Sequence, residues 1–160
     1  MNGSELAGAV RRLTAERDVL RTLHHACHTI DDTDVDAWLD CYTEDAVFRW
    51  RPADDAEYVL DLRSRDDFRT WFTNHRARMP VGTQRHITLN PVVHIVDDCN
   101  ATVVARYLTL QIKDGTPVPA TEGRYDDRFV RGADGVWRLA LRSAVSAGTL
   151  RGADLRLPSP

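Results

Sequence analysis

Two short passages hold the residues whose types and spacing could do chemistry. The first ends at Asp31. Apolar residues Leu13, Leu20, Leu23, Cys27 and Ile30 recur at helical spacing, and a projection at ~100° per residue places Asp31 within about 40° of Leu13, Leu20 and Cys27. A carboxylate on the stripe that faces an interior is costly unless a partner or a wet cavity receives it. The competing reading is that the helix stops before Asp31, which then caps the turn together with Asp32 and Asp34. His24 falls on the bearing of Asp31, His28 at the stripe's edge, and His25 points away. His24, His28 and Asp31 share a face at i, i+4 and i+7, but no further ligand cluster accompanies them, so no metal site is expected.

The second passage is Gln84-Arg85-His86-Ile87-Thr88-Leu89-Asn90. Period-two alternation sets Ile87 and Leu89 on one strand face and Gln84, His86 and Thr88 on the other. If that polar face lines the space reached by Asp31, the carboxylate would fix the imidazole tautomer and the imidazole could move a proton near neutral pH. Tyr107 alternates with Ala105 and Thr109; Arg124 and Asp126 share a parity opposite to Tyr125. Tyr42, Trp50, Phe68, Trp71 and Phe72 are rings that could wall an apolar pocket, although aromatics at helical spacing serve more often as plain core. His75 and His94 have no companion motif and read as surface or core filling.

These residues need a scaffold, and the chain supplies one in two halves. A long amphipathic helix over residues 5–31 is followed by turn chemistry in Asp31–Asp34 and a short helix marked by Val35, Trp38, Leu39 and Tyr42. Ala46–Trp50 reads as a strand, 51–58 as loop, and Phe68, Trp71, Phe72 and Met79 as a third helix capped by Ser64 or Asp66. Beyond Gly82 the period changes to two. Gln84–Val96, Ala101–Lys113, Thr121–Val130 and Val136–Ala147 are strand-like, with turns at Asp97–Asn100, Asp114-Gly115 and Ala133–Gly135. Short connections imply antiparallel neighbours. The fold class is α+β, one domain over residues 1–150, with 151–160 a loose tail.

Composition narrows the function classes. A chain of 160 residues with net charge −3 and 42% hydrophobic residues has the size of one soluble domain with a core and room for a cavity. Twenty Arg and one Lys, Lys113, are outnumbered by acids, so a nucleic-acid partner is not expected. No stretch approaches the ~18 apolar residues of a membrane span, and Met1–Val10 lacks an apolar signal core. Cys27, Cys41 and Cys99 stand far apart, which indicates a reducing, cytoplasmic setting without a disulfide or zinc framework.

The succession Ile30–Leu39, Tyr42–Phe48, Arg85-His86, Gly123–Asp127 and Asp134–Arg138 resembles the SnoaL-like group of the NTF2-like superfamily, from about residue 15 to 147. The resemblance implies a cone of curved antiparallel sheet and helices around one pocket. Scytalone dehydratase is the nearest mechanistic template within that group. By this likeness Asp31 and His86 match its aspartate and strand histidine. Tyr107 stands near its second histidine, Trp50 and Ile30 at its two tyrosines, and Asp126 at an asparagine. The expected function is a cofactor-independent dehydratase, isomerase or cyclase for a hydrophobic carbonyl compound. His86 and Asp31 would be catalytic, Tyr107 or Arg124 would steady oxyanion charge, and His24, Tyr42, Trp50, Trp71 and Asp126 would bind substrate. The alternative is an assembly or ligand-binding protein like the small subunit of ring-hydroxylating dioxygenases, to which Trp38-Leu39 and Thr43–Asp45 are also similar. Epoxide hydrolysis by Arg106 or Arg124 with Asp126 is a third reading. Apolar residues on both sheet faces (Val103, Tyr107, Leu108, Leu110 and Trp137) point to a homo-oligomer, dimer or trimer.

Overall fold

The computed structural model describes residues 2–149; the expected tail at 151–160 lies outside them. The elements are α1 (Gly3–Asp31), α2 (Val35–Asp40), β1 (Tyr42–Arg51), β2 (Leu60–Leu62), α3 (Arg65–Arg78), β3 (Gln84–Ile95), β4 (Asn100–Lys113), β5 (Thr116–Arg131) and β6 (Trp137–Thr149). The six strands form one sheet in the order β2-β1-β6-β5-β4-β3. From β3 to β6 all neighbours are antiparallel, as the short turns require. The exception to the antiparallel expectation is β1, which runs parallel to β6. Nearly the whole chain separates those two strands, so no hairpin constrains their direction. The three-residue β2 follows the loop expected over 51–58, in a stretch to which the sequence reading assigns no element; it pairs with the end of β1.

Local chemistry accounts for the ends of the elements. Asn2 caps α1 in a reciprocal box: its side chain accepts from the Glu5 backbone N–H at 2.9 Å, and Glu5 accepts from the Asn2 N–H at 2.8 Å. At the other end α1 runs through Asp31, and Thr33 turns the chain with a left-handed φ of 63°. Asp34 then caps α2. Ser64, not Asp66, caps α3, paired with Asp67. Asp114 and Gly115, both at positive φ, make the tight turn between β4 and β5.

Only the second half of α1 is covered. Val19, Leu23, Ala26 and Ile30 join Val103, Ala105, Phe129 and Leu139 in the core, and Thr22 donates to the Trp137 carbonyl at 2.8 Å. Leu13 is 65% exposed, a correction to the stripe expected from periodicity: the buried bearing centres on Val19, Leu23, Ala26 and Ile30 instead. α3 lays Phe68 and Phe72 into the core and stacks Trp71 on His75, rings 4.9 Å apart and 14° from parallel. His75 Nε2 lies 2.8 Å from Gln84 Oε1, and burial lowers its pKa to about 4.

β3 contains a bulge between Leu89 and Val92, at Asn90 (φ 50°) and Pro91, which has no N–H for a ladder. The extra residue reverses parity. Before it, His86 and Thr88 stand opposite Thr109 and Tyr107; after it, Val93 and Ile95 stand opposite Val103 and Ala101. All four β4 residues are buried, so the inward face of β3 is polar in its first half and apolar in its second. Its outer face leaves Leu89, Val92 and Val104 exposed.

Two outcomes test this packing. A Cβ at Gly123 would collide with the Val145 carbonyl and come within 2.8 Å of Tyr107 Cε1. Gly123→Ala should therefore cost about 1–3 kcal/mol in urea unfolding. Because the His75 pKa in the fold lies below the ~6.5 of a free histidine, its contribution is full above pH 6.5. It is lost as pH falls toward 4, where the unfolded chain takes up a proton the folded one does not. His75→Gln should lose less stability than wild type between pH 7 and 4.5.

Candidate active site

The first turn of β3 and the last turn of α1 meet at the sheet's edge. An edge strand presents backbone N–H groups with no neighbouring strand to accept them. Asp31 accepts one: its Oδ2 lies 2.9 Å from the His86 backbone N–H, and its Oδ1 lies 2.7 Å from His86 Nδ1. An ionised carboxylate only accepts, so the proton in the second bond belongs to Nδ1, and Nε2 keeps its lone pair. Both side chains are nearly buried, 14% and 10% exposed. One carboxylate thus fixes the backbone position, ring orientation and tautomer of one histidine.

His86 lines a cavity of about 500 Å³. Trp38, Phe48 and Trp71 form an aromatic wall in which Trp38 and Trp71 rings lie 5.6 Å apart. Tyr42, Trp50, Tyr107 and Tyr125 also line it, and Tyr107 stacks on Tyr125 at 4.5 Å. Trp50 Nε1 donates to Ser146 Oγ at 2.9 Å and to Tyr107 OH at 3.3 Å, while those two oxygens are 2.8 Å apart. The two hydroxyls carry two protons, and the bond between them uses one. The triangle therefore has one hydroxyl proton to spare, and of the two hydroxyl residues Tyr107 lines the cavity. Burial raises the Tyr107 pKa, which keeps it a neutral donor.

Of the residues singled out by sequence, His86, Tyr42, Trp50, Trp71 and Tyr107 line this cavity, and Asp31 holds His86 from behind. Three do neither. His24 is exposed on the outer side of α1 beside Leu13, Leu20 and His28, because the helix presents that bearing to solvent for most of its length. With Asp31 turned to His86, the three residues considered for a metal do not converge, and no group of three or more metal-type ligands occurs among the described residues. Arg124 and Asp126 pair with each other at 2.8 Å on the outer sheet face, with Asp54 3.3 Å from Arg124. Their shared parity is right, but it is the parity of Tyr125 that faces inward, so the arginine–aspartate arrangement considered for epoxide opening stands outside; Arg106 is exposed as well.

Sequence reasoning missed three residues. His75 completes the Phe68, Trp71, Phe72 stripe at i+7, a signal that was available, and it lines the cavity next to His86, ring centroids 6.4 Å apart. Asp127 and Arg142 are cross-strand partners buried as an ion pair: Arg142 Nη2 reaches Asp127 Oδ2 at 2.7 Å, with side chains 5% and 0% exposed. Burial opposes both charges, pushing the Asp127 carboxyl up, while the Asp127 carboxylate holds Arg142 charged. Alternation of Asp127 with Tyr125 and Phe129 was the available hint.

No helix among the described residues is long and apolar enough to cross a membrane. No curated protein matches the chain by sequence, whereas solved structures match along most of its length. An NTF2-like protein with a cystatin-like fold from Novosphingobium aromaticivorans is 18% identical, covers 98% of both chains and superposes with a TM-score of 0.79. A scytalone-dehydratase-like protein from the same organism is 18% identical with a TM-score of 0.72, covering 95% of this chain and 96% of its own. The beta subunit assigned there to an aromatic-ring-hydroxylating dioxygenase is 20% identical, with a TM-score of 0.74 over 88% and 93% of the two chains. At such identities the likeness is one of fold, an α+β cone with an unclosed sheet. The family model of the SnoaL-like domain matches residues 11–143, a span from α1 into β6 that contains Asp31 and His86, and the chain belongs to the SnoaL-like family.

Proposed function

We propose that this chain is a cofactor-independent acid–base enzyme, a dehydratase, isomerase or cyclase, acting on a hydrophobic carbonyl compound held among the cavity's aromatic rings. The observation that carries the reading is the pair of bonds from Asp31 to His86, which leaves Nε2 as the basic atom beside the cavity. His86 Nε2 takes a proton from the carbon next to the carbonyl, and the C–H electron pair moves into the enolate. Asp31 stabilises the imidazolium that forms. The spare proton of the Tyr107, Ser146 and Trp50 triangle is donated to the enolate oxygen. His86 then returns its proton to another carbon, giving an isomer, or to a departing hydroxyl, giving water and a double bond. Alternatively the enolate carbon attacks a second carbonyl and closes a ring, and the alkoxide formed takes the proton back from His86. Aromatic walls and a cavity within the usual range for small ligands support a bicyclic or tricyclic substrate. A binding or assembly role, by likeness to the dioxygenase beta subunit, needs neither the tautomer lock nor the spare donor.

Proton abstraction can be tested without the physiological substrate by following deuterium uptake at the α-carbon of 2-tetralone in D2O by NMR. The wild-type chain should accelerate uptake above the buffer rate, and His86→Ala should remove about 10²–10⁴-fold of that acceleration. Asp31→Asn should lose a comparable share while its circular dichroism stays that of wild type. Tyr107→Phe should lower exchange by about 10²-fold. Uptake at the buffer rate with wild type, or at the wild-type rate with His86→Ala, would sink the reading.

A further inference from the structure

A buried, charged guanidinium in the wall of a largely apolar cavity needs an explanation beyond packing. Burying an ion pair rarely gains stability over apolar residues of the same volume, so Arg142 and Asp127 must be kept for something else or be a costly accident of the core. The geometry distinguishes these. Asp127 takes up only one edge of the guanidinium: Nε lies 3.2 Å from both carboxylate oxygens and Nη2 lies 2.7 Å from Oδ2. Nη1 has no protein partner among the described residues. It is also absent from the polar atoms that are sealed without one, which are confined to Thr43, Arg49, Arg51 and Arg76. Arg142 lines the cavity, and its side chain is 95% buried (5% exposed), so the open edge faces the space where a ligand would lie. The guanidinium carbon lies over the Tyr125 ring, 4.1 Å from its centroid, a cation–π contact that helps hold Arg142 in place.

We propose that Arg142 is a second recognition point in this cavity, at which Nη1 donates to an uncharged carbonyl or phenol oxygen of an aromatic ligand, while Asp127 behind it discriminates against carboxylates. The charge balance sets this preference. Asp127 neutralises Arg142 within the wall, Asp31 lies behind His86, and Arg78, the other guanidinium among the lining residues, is solvent-exposed, so the buried end of the cavity presents a guanidinium whose charge is already matched. A ligand carboxylate at Arg142 would have to shed its water without meeting a net positive charge there. A neutral oxygen gives up far less solvation and gains a charge-assisted hydrogen bond. The inference concerns the same cavity as the proposed proton transfer, and implies a substrate with one oxygen function near His86 and Tyr107 and another at Arg142. It requires binding alone, so binding tests it separately from turnover.

Trp38, Trp50 and Trp71 line the cavity, so their fluorescence reports occupancy. The probes are 2-acetylnaphthalene, 2-naphthoate and 2-ethylnaphthalene, which share one shape and differ in offering a neutral carbonyl, a carboxylate or no oxygen. Wild type should bind 2-acetylnaphthalene about tenfold more tightly than 2-naphthoate. The double variant Arg142→Gln/Asp127→Asn, which removes both charges together, should bind 2-acetylnaphthalene no better than 2-ethylnaphthalene. Tyr107→Phe, lacking the rival donor, should keep the wild-type order, and so should His86→Ala even though it no longer exchanges protons. Equal or tighter binding of 2-naphthoate by wild type overturns the inference, as does failure of all three probes to quench. An unaltered preference in the double variant does the same. If that variant does not fold, the wild-type and Tyr107→Phe orders decide alone.

Discussion

The two oxygens of Asp31 hold the rest of the site in place. One satisfies a backbone N–H on the open edge of β3 and the other the ring of the same residue, so the end of α1 and the start of β3 are joined through a single side chain. A carboxylate near the interior is tolerable here because each oxygen has a strong donor and neither is left over. The helix gains a fixed end point without a neighbouring strand, and the strand gains a partner for an N–H that would otherwise need water. Everything the cavity presents around His86 depends on that joint.

Opposite the joint, the sheet contributes polar groups in two settings. The hydroxyl triangle of Trp50, Tyr107 and Ser146 is neutral and rich in donors, and it stands where Gly123 leaves space for the Tyr107 ring. The Arg142 and Asp127 pair is charged but internally compensated. Between them lie stacked rings that offer area without hydrogen bonds. A ligand in such a space is held by its faces and read at its oxygens, an arrangement that accommodates several related skeletons and constrains where their oxygens fall.

Much of this was legible from residue order. Helical spacing, the capping residues and the turn pairs located most elements, and alternation put Gln84, His86 and Thr88 on one face. What order alone could not say is which bearing or parity is covered. Leu13, His24 and Asp31 share a direction around the α1 axis, yet only the last turn reaches β3, so the same bearing means solvent at His24 and burial at Asp31. Arg124 and Asp126 illustrate the matching problem in a strand: their common face was evident, but its direction is set by β4 and β6. The Arg142 and Asp127 pair was hidden for another reason. Charges fifteen residues apart look like two solvated side chains until strand register brings them together. His75, by contrast, lay in plain view at the end of an aromatic stripe.

The bulge at Asn90 and Pro91 makes one strand serve two unlike neighbours, a wet cavity at its start and a dry core at its end. Its effect is arithmetic: the inward-facing set changes from even-numbered to odd-numbered residues. The functional polarity of β3 therefore resides in a count of residues as much as in their identities. A substitution along this strand disturbs one contact, whereas loss of a single residue at the bulge would exchange inside for outside along half of it, sending either His86 or Val93 and Ile95 toward solvent. Sequences sharing this architecture are thus free to vary the side chains of β3 far more than its length, and a gap placed there in comparing two of them marks a change of cavity, not merely of loop size.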